Sequence, residues 1–68
     1  LEFTAVYPVG TVVITNEGEK ALVIRQNKEF PDRPVLRILT DKYGSKVPTD
    51  VIKDLIEIQH IFIEKVLD

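Results

Sequence analysis

Three arginines, Arg25, Arg33 and Arg37, are the residues of this chain with most capacity for chemistry. A guanidinium presents a rigid fork of N–H donors that matches the oxygens of carboxylates and phosphates. If these arginines sit on neighbouring antiparallel strands, their side chains can meet and form a patch for a small anion such as a nucleotide. Two plainer fates compete with that reading. The arginines could pair with Glu19, Glu29 or Asp32, or lay their aliphatic stems along the sheet edge with their heads in water. No glycine-rich phosphate loop supports the ligand reading, because Gly10, Gly18 and Gly44 stand singly and far apart.

The other reactive side chains form no constellation. His60 is the only histidine and there is no cysteine, so no metal-ligand pattern exists around it and a structural or solvated role is expected. Asp50, Asp54 and Glu57 could share a helical face or flank a turn, but no further ligands or acid–base partners converge on them. A solvated face is the plainer reading, with a turn or capping role for Asp54. Ser45 is the only serine, follows a turn glycine, and lacks the acid–base neighbours of a nucleophile. Phe3, Tyr7, Phe30, Tyr43 and Phe62 are scattered rather than spaced as a base-stacking platform. The expectation is no catalytic residue, no metal and no cofactor.

The elements that must position these residues read as short strands separated by turns. Pro8 biases Tyr7 toward extended geometry, and Gly10 permits a turn before a β-branched run from Thr11 to Thr15. Asn16-Glu17-Gly18 fits a three-residue hairpin loop whose last residue takes positive φ, which glycine does without a Cβ clash. Lys20 to Gln26 is a second strand. Pro34 has no amide proton and belongs at the start or edge of a third strand running to Thr40. Asp41 to Gly44 is the next turn, and Ser45 to Val47 can begin a fourth strand. In the second and third strands both faces carry apolar residues: Ala21 and Val23 against Leu22 and Ile24, Val35 and Leu39 against Leu36 and Ile38. An open sheet with one wet face would alternate cleanly. The pattern calls for a coiled small barrel or a face meant for a partner. Residues 49–66 stay open between two readings. Val51, Ile52, Leu55, Ile58, Phe62, Ile63 and Val66 follow helical spacing behind a Thr49 cap, whereas the isoleucine enrichment favours strands.

Composition bounds the remaining choices. At 68 residues the chain is one domain, and such a domain buries only about 60% of its unfolded surface. With 44% hydrophobic and 29% charged residues it is an ordinary globular sequence. A formal net charge of −2 argues against a dedicated nucleic-acid binder. No apolar run approaches the length of a membrane span. The lack of cysteine fits a cytoplasmic protein. A chain that starts at Leu1 and contains no methionine is expected to be a piece of a longer protein.

The segments Tyr7-Pro8-Val9-Gly10-Thr11-Val12-Val13, Asn16-Glu17-Gly18-Glu19-Lys20-Ala21-Leu22-Val23, Asn27 and Pro31-Asp32-Arg33-Pro34-Val35 carry a resemblance, continued in Asp54-Leu55 and Ile63-Glu64-Lys65-Val66-Leu67. Together they resemble the segment C-terminal to the catalytic domain in bacterial HD-GYP-type phosphohydrolases. That family hydrolyses phosphodiesters, often cyclic di-GMP, at a metal centre held by His and Asp. The present chain has neither the HD dyad nor the GYP triplet, so the resemblance brings no catalytic or metal residue with it. It does favour strands over Val51–Leu55 and Phe62–Leu67.

The resulting expectation is a mainly β domain over residues 1–68. It takes the form of a small antiparallel SH3-like barrel or half-barrel of about five strands, with room for one short helix near residues 54–60. Its turns are set by Gly10, Gly18, Gly44 and Pro34. Its expected role is that of a non-enzymatic accessory domain of a bacterial signalling phosphohydrolase, packing on the catalytic domain of the same chain or on a second copy. An anion-binding module using Arg25, Arg33 and Arg37 is the alternative.

Overall fold

The computed structural model describes residues 7–67. Five strands form one sheet: β1 (Val12–Thr15), β2 (Lys20–Arg25), β3 (Val35–Thr40), β4 (Ile52–Asp54) and β5 (Ile63–Leu67). Their spatial order is β4-β3-β2-β1-β5, and every neighbouring pair is antiparallel. The edge strands β4 and β5 are not paired to each other, so the sheet is an open half-barrel. Three register shifts interrupt its ladders: at Ile14/Thr15 against β5, and at Lys20/Ala21 and Val23/Arg25 between β2 and β3. Bulges of this kind sharpen local twist and let a small sheet coil over its own core.

That core lies on one face. Val13, Ala21, Val23, Leu36 and Ile38 point inward from the three central strands, and Leu55 and Ile61 close over them from the β4–β5 connection, all at 0–2% exposure. Burying a Val, Leu or Ile side chain contributes roughly 1.5–3 kcal/mol, which makes this cluster the main source of stability. Thr15 is buried among them and fully satisfied. Its hydroxyl accepts from the amides of Glu17 (3.2 Å) and Glu19 (3.3 Å) and donates to Glu19 Oε1 (3.4 Å).

The two hairpin turns share one design. The Gly18 amide donates to the Thr15 carbonyl and that of Gly44 to the Asp41 carbonyl, both at 2.9 Å. Both glycines have φ of 83°, the left-handed region that closes a three-residue loop. At Gly18 space is also short, since a Cβ there would lie 3.3 Å from the Cβ of Lys42. The Asp41 carboxylate takes the place that Thr15 Oγ1 has in the first turn, accepting from the Tyr43 (2.9 Å) and Ser45 (3.0 Å) amides. Gly10 also has positive φ, and Pro34 sits buried immediately before β3.

Two expectations give way in the C-terminal third. Ser45 to Val47 forms no strand: Lys46 makes a single bridge to Thr40, and the fourth strand lies at Ile52–Asp54. No helix occupies residues 54–60. The Glu57 and Ile58 amides both donate to the Asp54 carbonyl at 2.9 and 3.0 Å, and Ile61 donates to the Ile58 carbonyl at 3.4 Å, which makes successive turns. Helical spacing in this stretch reflects two turns that each drop one apolar residue, Leu55 and Ile61, into the core. The carbonyls that a continuing helix would use are taken by a side chain from the bend before β3.

Candidate functional site

That side chain is Arg33. From the bend before β3, its Nε donates to the Leu55 carbonyl at 2.7 Å. Its Nη2 donates to the carbonyls of Ile58 (3.0 Å) and Ile61 (2.7 Å). One guanidinium thus collects three backbone acceptors spread over the β4–β5 connection. Asn27 reinforces the same region: its Nδ2 donates to the Arg33 carbonyl (2.6 Å) and to Asp54 Oδ1 (3.0 Å). The second contact holds the carboxylate that also accepts from the Ile56 amide at 3.0 Å. Asp54 is therefore a turn-capping residue. At the far end of the connection Asn16 plays a parallel part, donating from Nδ2 to the His60 carbonyl (3.1 Å) and accepting from the Phe62 amide (2.8 Å).

Arg37 goes elsewhere. It occupies the outer face of β3, directly opposite Leu22 on β2 and Ile52 on β4, and it lines a cleft of about 330 Å³. Lys20, Ile38, Leu39, Thr40, Lys46, Val47 and Thr49 complete the lining. The register explains how these residues meet. Ala21 opposes Ile38 but Lys20 opposes Thr40, so Leu39 is an extra residue on β3. A bulge lets two successive side chains fall on similar sides, and Thr40 turns toward the face that carries Arg37. Thr40 in turn bridges to Lys46.

The cleft is cationic. Two lysines and an arginine line it and no carboxylate does. Of the acids adjacent in sequence to lining residues, Glu19 is engaged by Lys53 at 2.9 Å, Asp41 accepts from the Tyr43 and Ser45 amides, and Asp50 is exposed. Among the described residues the ion pairs are Lys53–Glu19 and the exposed His60–Glu17 contact at 3.8 Å, so none of the three cleft cations has a carboxylate partner. The Nε of Arg37 is buried without a hydrogen-bond partner among the described residues.

Of the three arginines singled out by sequence, the cleft takes Arg37 alone. Arg33 is bound to the chain's own carbonyls, and Arg25 stands exposed at the end of β2 opposite Val35. Sequence reasoning missed Lys20, Lys46, Thr40 and Thr49, because only the bulge and the Thr40–Lys46 bridge bring them together. A usable signal was present in Lys20 and Lys46, which lie just beyond turn glycines Gly18 and Gly44 and therefore near one end of the sheet. His60 is exposed. Ser45 is exposed in its turn with its amide donating to Asp41. Among the described residues no group of three or more His, Cys, Asp or Glu side chains could hold a metal, and no helix is long and apolar enough to cross a membrane.

Comparison with known proteins agrees with this picture of a small β accessory fold. No curated protein and no solved structure matches the chain. One family model does, over residues 12–68, which takes in all five strands. The chain belongs to the family described as the KOW domain associated with HD domain.

Proposed function

We propose that this domain is the non-catalytic accessory unit of an HD-type signalling phosphohydrolase of the bacterial HD-GYP kind, and that it works by docking. Its partner is the HD catalytic domain of the same chain or a second copy of itself, in the cytoplasm. The carrying observation is one rung of the sheet. Leu67, Val12, Leu22, Arg37 and Ile52 lie directly opposite one another across all five strands on the outer face. Four of the five are apolar, and none is buried. Ile24, also half-buried, extends this surface along β2. An apolar stripe on the face away from the core is the kind of surface that marks an interaction site. Family membership supports the choice of partner, since the family is defined by association with HD domains.

Light scattering of the chain alone, and mixed with the HD domain, tests this reading. The expected result is a dimer or a one-to-one complex that Leu22→Glu abolishes while the thermal melt stays cooperative. A monomer that ignores the HD domain overturns it.

A further inference from the structure

We propose that the cleft between the end of β3 and the β3–β4 connection binds a phosphomonoester through Lys20, Arg37 and Lys46, with the Thr40 and Thr49 hydroxyls as additional donors. The inference does not depend on the docking reading, although Arg37 belongs to both the rung and the cleft.

Three observations carry it. First, the chain has a net charge of −2, yet two lysines and an arginine share one concavity with no carboxylate in its lining. Gathering like charges is unfavourable unless something opposes them, and of the acids next to lining residues Glu19 is committed to Lys53 and Asp41 to its own turn. Second, a buried N–H of Arg37 has no acceptor. Leaving such a donor unmade costs about 1–3 kcal/mol, and no described residue takes it up, so the guanidinium is not committed to the fold. Third, the donors are of the right kinds. A guanidinium offers paired N–H groups, the ammonium groups supply point charge, and hydroxyls can donate to the remaining oxygens of a tetrahedral anion.

The charge favours a dianion. A phosphomonoester carries close to two negative charges at neutral pH, which three cations can match, whereas a carboxylate or a phosphodiester carries one. The volume of about 330 Å³ lies at the lower end of ligand sites, roughly 300–1,000 Å³. It leaves room for a phosphate and a small organic group. Leu39 and Val47 supply an apolar wall for that group.

The test is an amide chemical-shift titration of the chain with glycerol 3-phosphate, inorganic phosphate, dimethyl phosphate and acetate at constant ionic strength. The phosphomonoester should give saturable shifts confined to residues 20, 37–40 and 46–49. Inorganic phosphate should reproduce them more weakly, because it lacks the organic group that the apolar wall would contact. Arg37→Met should weaken the phosphomonoester by at least tenfold, while Lys65→Ala, exposed on β5 and outside the cleft, should leave it unchanged. The proposal is overturned if the shifts fail to saturate or spread over the surface. It is equally overturned if dimethyl phosphate or acetate binds as well as the phosphomonoester, or if Arg37→Met binds like the parent. Leu67→Glu serves as the separating control: on the same rung but three strands from Arg37, it disrupts docking and leaves the titration intact.

Discussion

Arg33 and Arg37 are four residues apart, and the structure uses them in opposite ways. Around Arg33 the hydrogen bonds run to other parts of the chain: three carbonyls, the Asn27 amide and the Asp54 carboxylate form one connected set. Around Arg37 charges of one sign collect, and a buried donor has no partner among the described residues. The first arrangement is what a fold needs, since backbone carbonyls gathered at one place require donors. The second adds nothing to the fold by itself. A charge that the chain does not neutralise points to something outside the chain. The contrast teaches that an arginine's role here follows from what its strand position faces, not from its type.

Removing the clamp should have the largest effect. Arg33→Ala strips three charge-assisted hydrogen bonds from the β4–β5 connection, and bonds to charged groups contribute about 1.5–3 kcal/mol each, less than additively. The expected loss is about 3 kcal/mol in a urea melt, with Leu55 and Ile61 amides losing exchange protection first. Should that variant fail to fold, Arg33→Lys gives a milder reading. An ammonium cannot reach three carbonyls as a planar fork does, so its loss should be intermediate. Stability equal to the parent in Arg33→Lys would break the comparison.

Asn27→Ala acts on the same connected set with a smaller lever. It deletes the donors to the Arg33 carbonyl and Asp54 Oδ1, and a loss of about 1–2 kcal/mol is expected from two such bonds. The urea midpoint reads it directly. An unchanged midpoint would mean that water replaces the amide.

The smallest effect belongs to Arg37→Met. The methionine keeps an apolar stem on the sheet while removing an unsatisfied donor, so the expected change is no loss of stability and a gain of up to about 1 kcal/mol. A loss above about 1 kcal/mol in the same melts would show that Arg37 is structural after all. The two arginines would then differ in degree only.

Legibility in the sequence followed the range of the interactions. The first two-thirds of the chain could be read because its signals are local. Glycines at 18 and 44 with positive φ, the β-branched run Val12–Thr15 and Pro34 before β3 act within a few residues of themselves. The apolar residues on both faces of β2 and β3 also announced a second surface, and the outer rung is where it lies. Residues 49–62 resisted. Their apolar spacing fits a helix as well as two turns, and local propensity gives little to separate them. What decides between them is Arg33, more than twenty residues earlier in the chain, reaching carbonyls that a helix would have kept for itself.

Sequence alone determined the class of this domain: short antiparallel strands, turns closed by glycine, and an apolar interior. Those follow from side-chain shape and backbone freedom, which belong to each residue wherever it sits. Tertiary structure alone decided which arginine is a clamp and which faces an open cleft. It also decided that Lys20 and Lys46, twenty-six positions apart, share one surface. The physical reason is register. A single extra residue at Leu39 shifts the pairing of β2 with β3, turns Thr40 toward the outer face and brings the two lysines alongside Arg37. Such a shift depends on how two strands meet, and neither strand's own residues encode it.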